Sequence, residues 1–183
     1  VAGIEQAVDQ LTRSELEKVR LEGGRRLLFL DEFIDRYRSV EWVFDLKPEK
    51  ALLTMRNLES LFRNRRDRNL VLEKTRVLCW NSKHERLMRS ELGFHKFFAR
   101  KWQCIQAAMS ILYKLPALGG IEKEKAYGIL PKVTGLSLFK PSVIDQYHRR
   151  GALVIAFLPD FEEAKEAIEA GVDMILMDYA APE

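Results

Sequence analysis

Asp45 and Lys47 carry opposite charges two positions apart, at the end of the alternating stretch Val40–Lys47. In an extended chain, residues i and i+2 project to the same side. Trp42, Phe44 and Leu46 then fall on the opposite side. This predicts a strand whose large apolar face packs on helices and whose C-terminal end presents an acid and an amine together. A carboxylate at such a position suits a hard divalent cation, which prefers oxygen ligands. An ammonium beside it can neutralise a phosphate oxygen. A solvent-facing ion pair is the other reading of the same spacing.

The remaining candidates are weaker. His84, His95 and His148 each fall in or beside a predicted helix, among Lys and Arg, and read as solvated helix histidines. Phe157 lies at the C-terminal end of the apolar run Leu153–Leu158, which Pro159 stops, where an aromatic ring lines a site or packs in a core. Asp178 ends the last apolar run, as a catalytic carboxylate or as a helix cap or turn. Cys79 and Cys104 have neither C-x-x-C spacing nor a His-Cys cluster, so they read as reduced, half-buried thiols and point to a cytoplasmic location. Gly23-Gly24 and Gly119-Gly120 fit no phosphate-binding fingerprint and read as turns. The basic run Arg63–Arg68 lies at a predicted helix C-terminus, which the helix dipole favours, and lacks interleaved aromatics. Nucleic acid is therefore not expected as a partner.

These residues need elements to position them. Thr12 and Glu15 have capping-box spacing before a short helix. Asp31 opens a helix through Tyr37. Pro48 ends the 40–47 strand and starts a helix reaching about Asn64, with Leu52, Met55, Leu58, Leu61 and Phe62 as its packing stripe. Strands follow at Val77–Trp80 and Phe97–Ala99, and helices at Ser82–Leu92 and Trp102–Leu115. In the second helix, Trp102, Met109, Leu112 and Tyr113 read as a packing stripe. Residues 116–141 read as irregular. Ser142–Arg150 is a helix closed by Gly151, followed by strand Leu153–Leu158, helix Phe161–Ala170 and strand Asp173–Asp178. Alternating strands and helices of this kind predict a parallel α/β fold.

The 183 residues are 47% hydrophobic, enough for a packed core, and carry a formal net charge of +3. No composition shift divides them, so residues 1–183 read as one domain. No apolar run reaches the ~18–20 residues of a membrane span.

Several segments, in order, resemble the glycerophosphodiester phosphodiesterase family. They are Leu11-Thr-x-x-Glu-Leu16, Leu30-Asp-Glu-Phe-Ile34, Val43-Phe-Asp-Leu-Lys-Pro48, the stretch from His148-Arg-Arg-Gly151 through Phe157, and Ala170-Gly-Val-Asp-Met-Ile-Leu-Met-Asp-Tyr179. The resemblance implies a TIM-type (β/α)8 barrel and metal-dependent cleavage of glycerophosphodiesters to glycerol phosphate and an alcohol. It makes Asp45 a ligand of a divalent metal (Mg or Ca), Lys47 a phosphate contact and Phe157 a wall of the substrate pocket. The family's "H-R-G", "E-x-D" and "H-D" strands, which carry its catalytic histidines, have no match here. The resemblance thus implies a partial barrel lacking roughly the first three strands, with open sheet edges that a homo-oligomer would cover. Trp80-Asn81 stands where the family has Ser-Phe, and Met177 where it has Thr. These departures keep a second reading open, an inactive barrel relative that binds a phosphate-bearing ligand or a protein partner.

Overall fold

A computed structural model describes residues 6–63, 65–133, 135–158 and 161–177. Pro159 and Asp178 lie outside the described residues. The chain forms two compact units, residues 1–40 and 41–183.

The first unit holds two short helices, α1 (Arg13–Leu16) and α2 (Leu30–Arg36). The capping box forms as its spacing predicts. Thr12 Oγ1 accepts from the Glu15 backbone N–H, and Glu15 Oε2 accepts from the Thr12 N–H at 2.7 Å. Gly23 and Gly24 both have positive φ, which turns the chain between the helices. Ion pairs Arg13–Asp31 and Arg26–Glu32, each at 2.9 Å, tie the segments together.

The second unit is built on parallel strands. β1 (Trp42–Leu46), β2 (Thr75–Cys79) and β3 (Lys96–Phe97) form one sheet. β4 (Ala126–Ile129) pairs with β7 (Leu153–Leu158), and β7 with β8 (Met174–Met177). The hairpin of β5 (Lys132–Val133) and β6 (Leu136–Ser137) lies between β4 and β7 in sequence. The chain after β3 joins the two parallel sheets. Phe98 N–H donates to Val77 O at 3.0 Å, and Ala99 N–H to Ala126 O at 2.8 Å. Six parallel strands therefore run in the order β1-β2-β3-β4-β7-β8. Between them lie the helices α3 (Ala51–Arg63), α4 (Arg68–Lys74), α5 (Ser82–Ser90), α6 (Lys101–Leu112), α7 (Pro141–His148) and α8 (Phe161–Ala170).

Alternation sorts the strand residues onto two faces. Trp42 and Leu46 of β1 are buried with Thr75, Val77 and Cys79 of β2, their register partners on that face being Thr75 and Cys79. Helix α3 covers this side. Its Phe62 meets Phe94 at 5.9 Å between ring centroids, and Phe94 meets Phe44 of β1 at 6.3 Å. Each fully buried side chain of this size stabilises the fold by about 1.5–3 kcal/mol. The buried stripe of α3 is Ala51, Met55, Leu58 and Phe62. Leu52 is instead half exposed, because the stripe that packs starts one residue earlier than the sequence pattern suggested. On the other face of the strands, Phe98, Ala126 and Ile155 form a small apolar cluster with Leu78, Leu153 and Met174 against it.

Two further expectations fail. The stretch 116–141 is not wholly irregular, since it contains β4, buried in the larger core through Tyr127 and Ile129. Of the expected α6 stripe, Leu112 packs against the core and Met109 is part-buried at a cavity wall, whereas Trp102 and Tyr113 do not pack. Trp102 is 76% and Tyr113 69% exposed, and the buried face is Ala107, Ala108, Ser110 and Ile111. Small residues let α6 lie close on the strands, and the bulky aromatics are turned outward.

Candidate functional site

The strands' C-terminal ends gather the candidate side chains. Register places Val43 beside Arg76 and Asp45 beside Leu78, on the face turned away from α3. Lys47 follows the last residue of β1, and Trp80 the last residue of β2, so both continue this face. The three meet. Trp80 Nε1 donates to Asp45 Oδ1 at 2.8 Å, and Lys47 Nζ donates to Asp45 Oδ2. The Lys47 ammonium also stands 5.4 Å from the centre of a Trp80 ring. A carboxylate, an ammonium and an indole thus form one exposed group, with the Lys47 side chain 63% and the Asp45 side chain 35% exposed. Asp45 occupies one of the three N–H donors of the Lys47 ammonium. The remaining N–H groups suit an anion with several oxygens, such as a phosphate.

The metal expectation rests on Asp45 alone. Each of its oxygens already accepts a hydrogen bond, and the described residues contain no group of three or more His, Cys, Asp or Glu that could hold a metal ion. One carboxylate does not make the six or more oxygen contacts of a hard cation.

Beside the charged group lies a cavity of about 400 Å³. It opens between the ends of β2, β3, β4 and β7 and the inner side of α6. Leu78, Trp80, Phe98, Met109, Leu130 and Phe157 are among its walls. Phe157 lies one residue before the end of β7, 39% exposed, with its ring laid over Gly128 of β4. A Cβ at Gly128 would stand 2.7 Å from that ring, so the bare backbone is what gives Phe157 its place. Phe157 and Lys47 are not brought into contact. Trp80 joins their surroundings, lining the cavity with its ring and bonding Asp45 through its N–H.

Cys79 and Cys104 line the same cavity as free thiols. Burial, reinforced by the charge of Glu85, pushes the Cys79 thiol up to about 12. Burial also raises Cys104. Neither is a thiolate near neutral pH, so neither is a nucleophile.

The histidines separate by position. His95 precedes β3, and His148 closes α7, where its Nε2 meets Asp173 Oδ2 at 2.9 Å just before β8. Both lie toward the strands' N-terminal ends. His84 is different. It sits in the first turn of α5, directly after β2, at the same end as Asp45. Asn81 caps that helix by accepting the His84 backbone N–H at 2.9 Å through Oδ1. Its Nδ2 therefore faces His84 Nδ1, at 3.0 Å. That nitrogen accepts, so a neutral His84 carries its proton on Nε2. The sequence signal for this placement was Asn81 itself, an N-cap residue three before the histidine.

No family model matches the sequence, and no curated protein matches it. Solved structures do. The fold resembles that of a glycerophosphoryl diester phosphodiesterase domain. That domain belongs to an uncharacterized protein from Mycobacterium tuberculosis, and the superposition covers 94% of this chain and 74% of the other at a TM-score of 0.71. Sequence identity is 14%, so the similarity is one of fold. Among the described residues, no helix is long and apolar enough to cross a membrane.

Proposed function

We propose that the chain belongs to a phosphoric diester hydrolase that cleaves glycerophosphodiesters to glycerol phosphate and an alcohol. The observation that carries this reading is the joint projection of Lys47 and Asp45, with Trp80, from strand C-terminal ends in a chain with this fold. The six parallel strands are read as consecutive members of a TIM-type barrel, whose chemistry gathers at this end. An eight-strand barrel then leaves two further places, against the roughly three missing strands that the family resemblance implied. The ends of the described strand order, β1 and β8, are where a second copy would add in a homo-oligomer. The free thiols fit a reducing, cytoplasmic setting.

In this reading Lys47 binds a non-bridging phosphate oxygen and stabilises the charge that grows on it during displacement. Asp45 and the Trp80 ring hold the ammonium in place. A magnesium or calcium ion at this end would need carboxylates besides Asp45, so the work assigned to these residues is anion binding and orientation. A second reading, a relative that binds the phosphate-bearing ligand without cleaving it, is favoured by the full engagement of Asp45 with Lys47 and Trp80.

Glycerol phosphate release from glycerophosphocholine, with and without a chelator, separates the two. The hydrolase reading expects release that falls about 10²–10³-fold in Lys47→Met, the loss typical of a removed charge-stabilising donor. Loss of release on chelation would assign a metal to the site. Release unchanged in Lys47→Met removes that residue from the site, and binding of glycerol phosphate with no release favours the second reading.

A further inference from the structure

We infer that the outward face of α6, with the turn that follows it, docks on an anionic lipid surface, lying on that surface rather than crossing it. It does so whether or not Lys47 binds a phosphate. Trp102 and Tyr113 stand about three helical turns apart and on the same side, opposite the buried Ile111. Tyr113 N–H still donates to Met109 O at 2.9 Å, so it continues the last turn of the helix. Leu115 and Leu118 follow, 55% and 67% exposed. Their turn is held in place. Gln106 Nε2 donates to Leu118 O at 3.0 Å, and Leu115 N–H donates to Ser110 O at 2.8 Å. A Cβ at Gly119 would stand 2.3 Å from Ser110 Oγ, so the turn lies tight on the helix end. The apolar side chains are therefore presented on a fixed platform, and docking orders nothing new.

Charge selects the occupant. Residues 101–121 contain no carboxylate, and their charged side chains are Lys101 and Lys114. Both are exposed, and neither makes an ion pair among the described residues. Lys101 opens α6 and Lys114 follows its end, so a cation flanks the apolar stripe on each side. An ordinary solvated surface intersperses both signs. Apolar side chains flanked by cations alone complement a layer with an acyl interior and anionic headgroups. Trp and Tyr suit its boundary, because each has an apolar body and a polar tip. The lysine stems can lie along the apolar layer while their ammonium groups reach the headgroups.

Co-sedimentation of the full chain with vesicles tests the inference, using phosphatidylcholine alone and phosphatidylcholine mixed with phosphatidylserine. Binding is expected to the mixed vesicles, weakened about fivefold by each of Lys101→Gln and Lys114→Gln. Trp102→Glu and Leu118→Glu, at exposed positions, should each weaken it at least about tenfold while leaving the urea midpoint unchanged. Tryptophan emission should shift to the blue on the vesicles, and Trp102→Phe should lose that shift while still sedimenting. No binding to the mixed vesicles overturns the inference. Equal binding to both vesicle types overturns the anionic requirement, and with it the inference. Binding that persists in both glutamate variants, or a blue shift that persists in Trp102→Phe, places the contact elsewhere and overturns it. Concentration-dependent dimers that Trp102→Glu abolishes, with no vesicle binding, assign the face to a second copy of the chain and overturn the lipid surface.

Discussion

Glu85 carries a buried charge on which three cations converge. Its side chain is 11% exposed and its Oε1 lies 2.8 Å from the ammonium of Lys125, itself only 5% exposed. Arg100 approaches Oε2 at 3.7 Å, which ties α5 to the start of α6 at the cavity rim. Glu85→Gln keeps the shape and removes the charge. Lys125 then retains only Glu122, at 3.0 Å and half exposed, so a buried ammonium is left nearly alone. Breaking a buried pair from one side costs about 3–5 kcal/mol, and the surviving Glu122 contact sets the expectation at the low end. For a unit of this size, about 3 kcal/mol corresponds to a fall in Tm of roughly 6–12 °C. Lys125→Met should cost less, because Glu85 keeps Arg100 and Arg89. The assay is urea unfolding followed by tryptophan fluorescence, with coincidence of fluorescence and circular dichroism as the check on two-state behaviour. Glu85→Gln within about 1 kcal/mol of the parent, the value of an exposed pair, would refute the reasoning.

Two further outcomes follow from buried groups. The Cys79 thiol is held neutral up to about 12 in the folded chain, against roughly 8.5 when unfolded. Its contribution to stability is therefore complete below the unfolded value and declines as pH rises toward the folded one. Urea midpoints at about pH 8 and about pH 10 should separate more in the parent than in Cys79→Val; equal separations would dismiss the effect. Tyr147 is fully buried with no hydrogen-bond partner for its hydroxyl among the described residues, and burial raises its pKa. Tyr147→Phe removes an unsatisfied group and is expected to be neutral or stabilising by up to about 1–3 kcal/mol, read as an unchanged or higher urea midpoint.

The order of the elements could be read without coordinates wherever one local rule decided it. Alternation marked β1, because one face is buried and the other open. Thr12 with Glu15, Pro48 and Gly151 punctuated helices through caps, a missing N–H and a positive φ. The pairing of Asp45 with Lys47 was likewise local, since side chains two apart on a strand must share a side. β4 escaped because four residues including a glycine, buried on both faces, carry no period. Helix α6 was misread because apolar residues occur nearly all around it, so sequence left its buried side undetermined. The strand surface decided that, admitting Ala107, Ala108 and Ser110 and turning Trp102 and Tyr113 outward.

The amino-acid order by itself established that an acid and an amine leave one strand end together, and that strands and helices alternate. Only the tertiary structure brought Trp80 onto Asp45, set His84 at the same end and hollowed the apolar space beside them. Those depend on the register of β1 against β2 and on the way α6 rests across strand ends far apart in the chain. Such contacts are selected by global packing, for which no short-range pattern in the chain carries a signal.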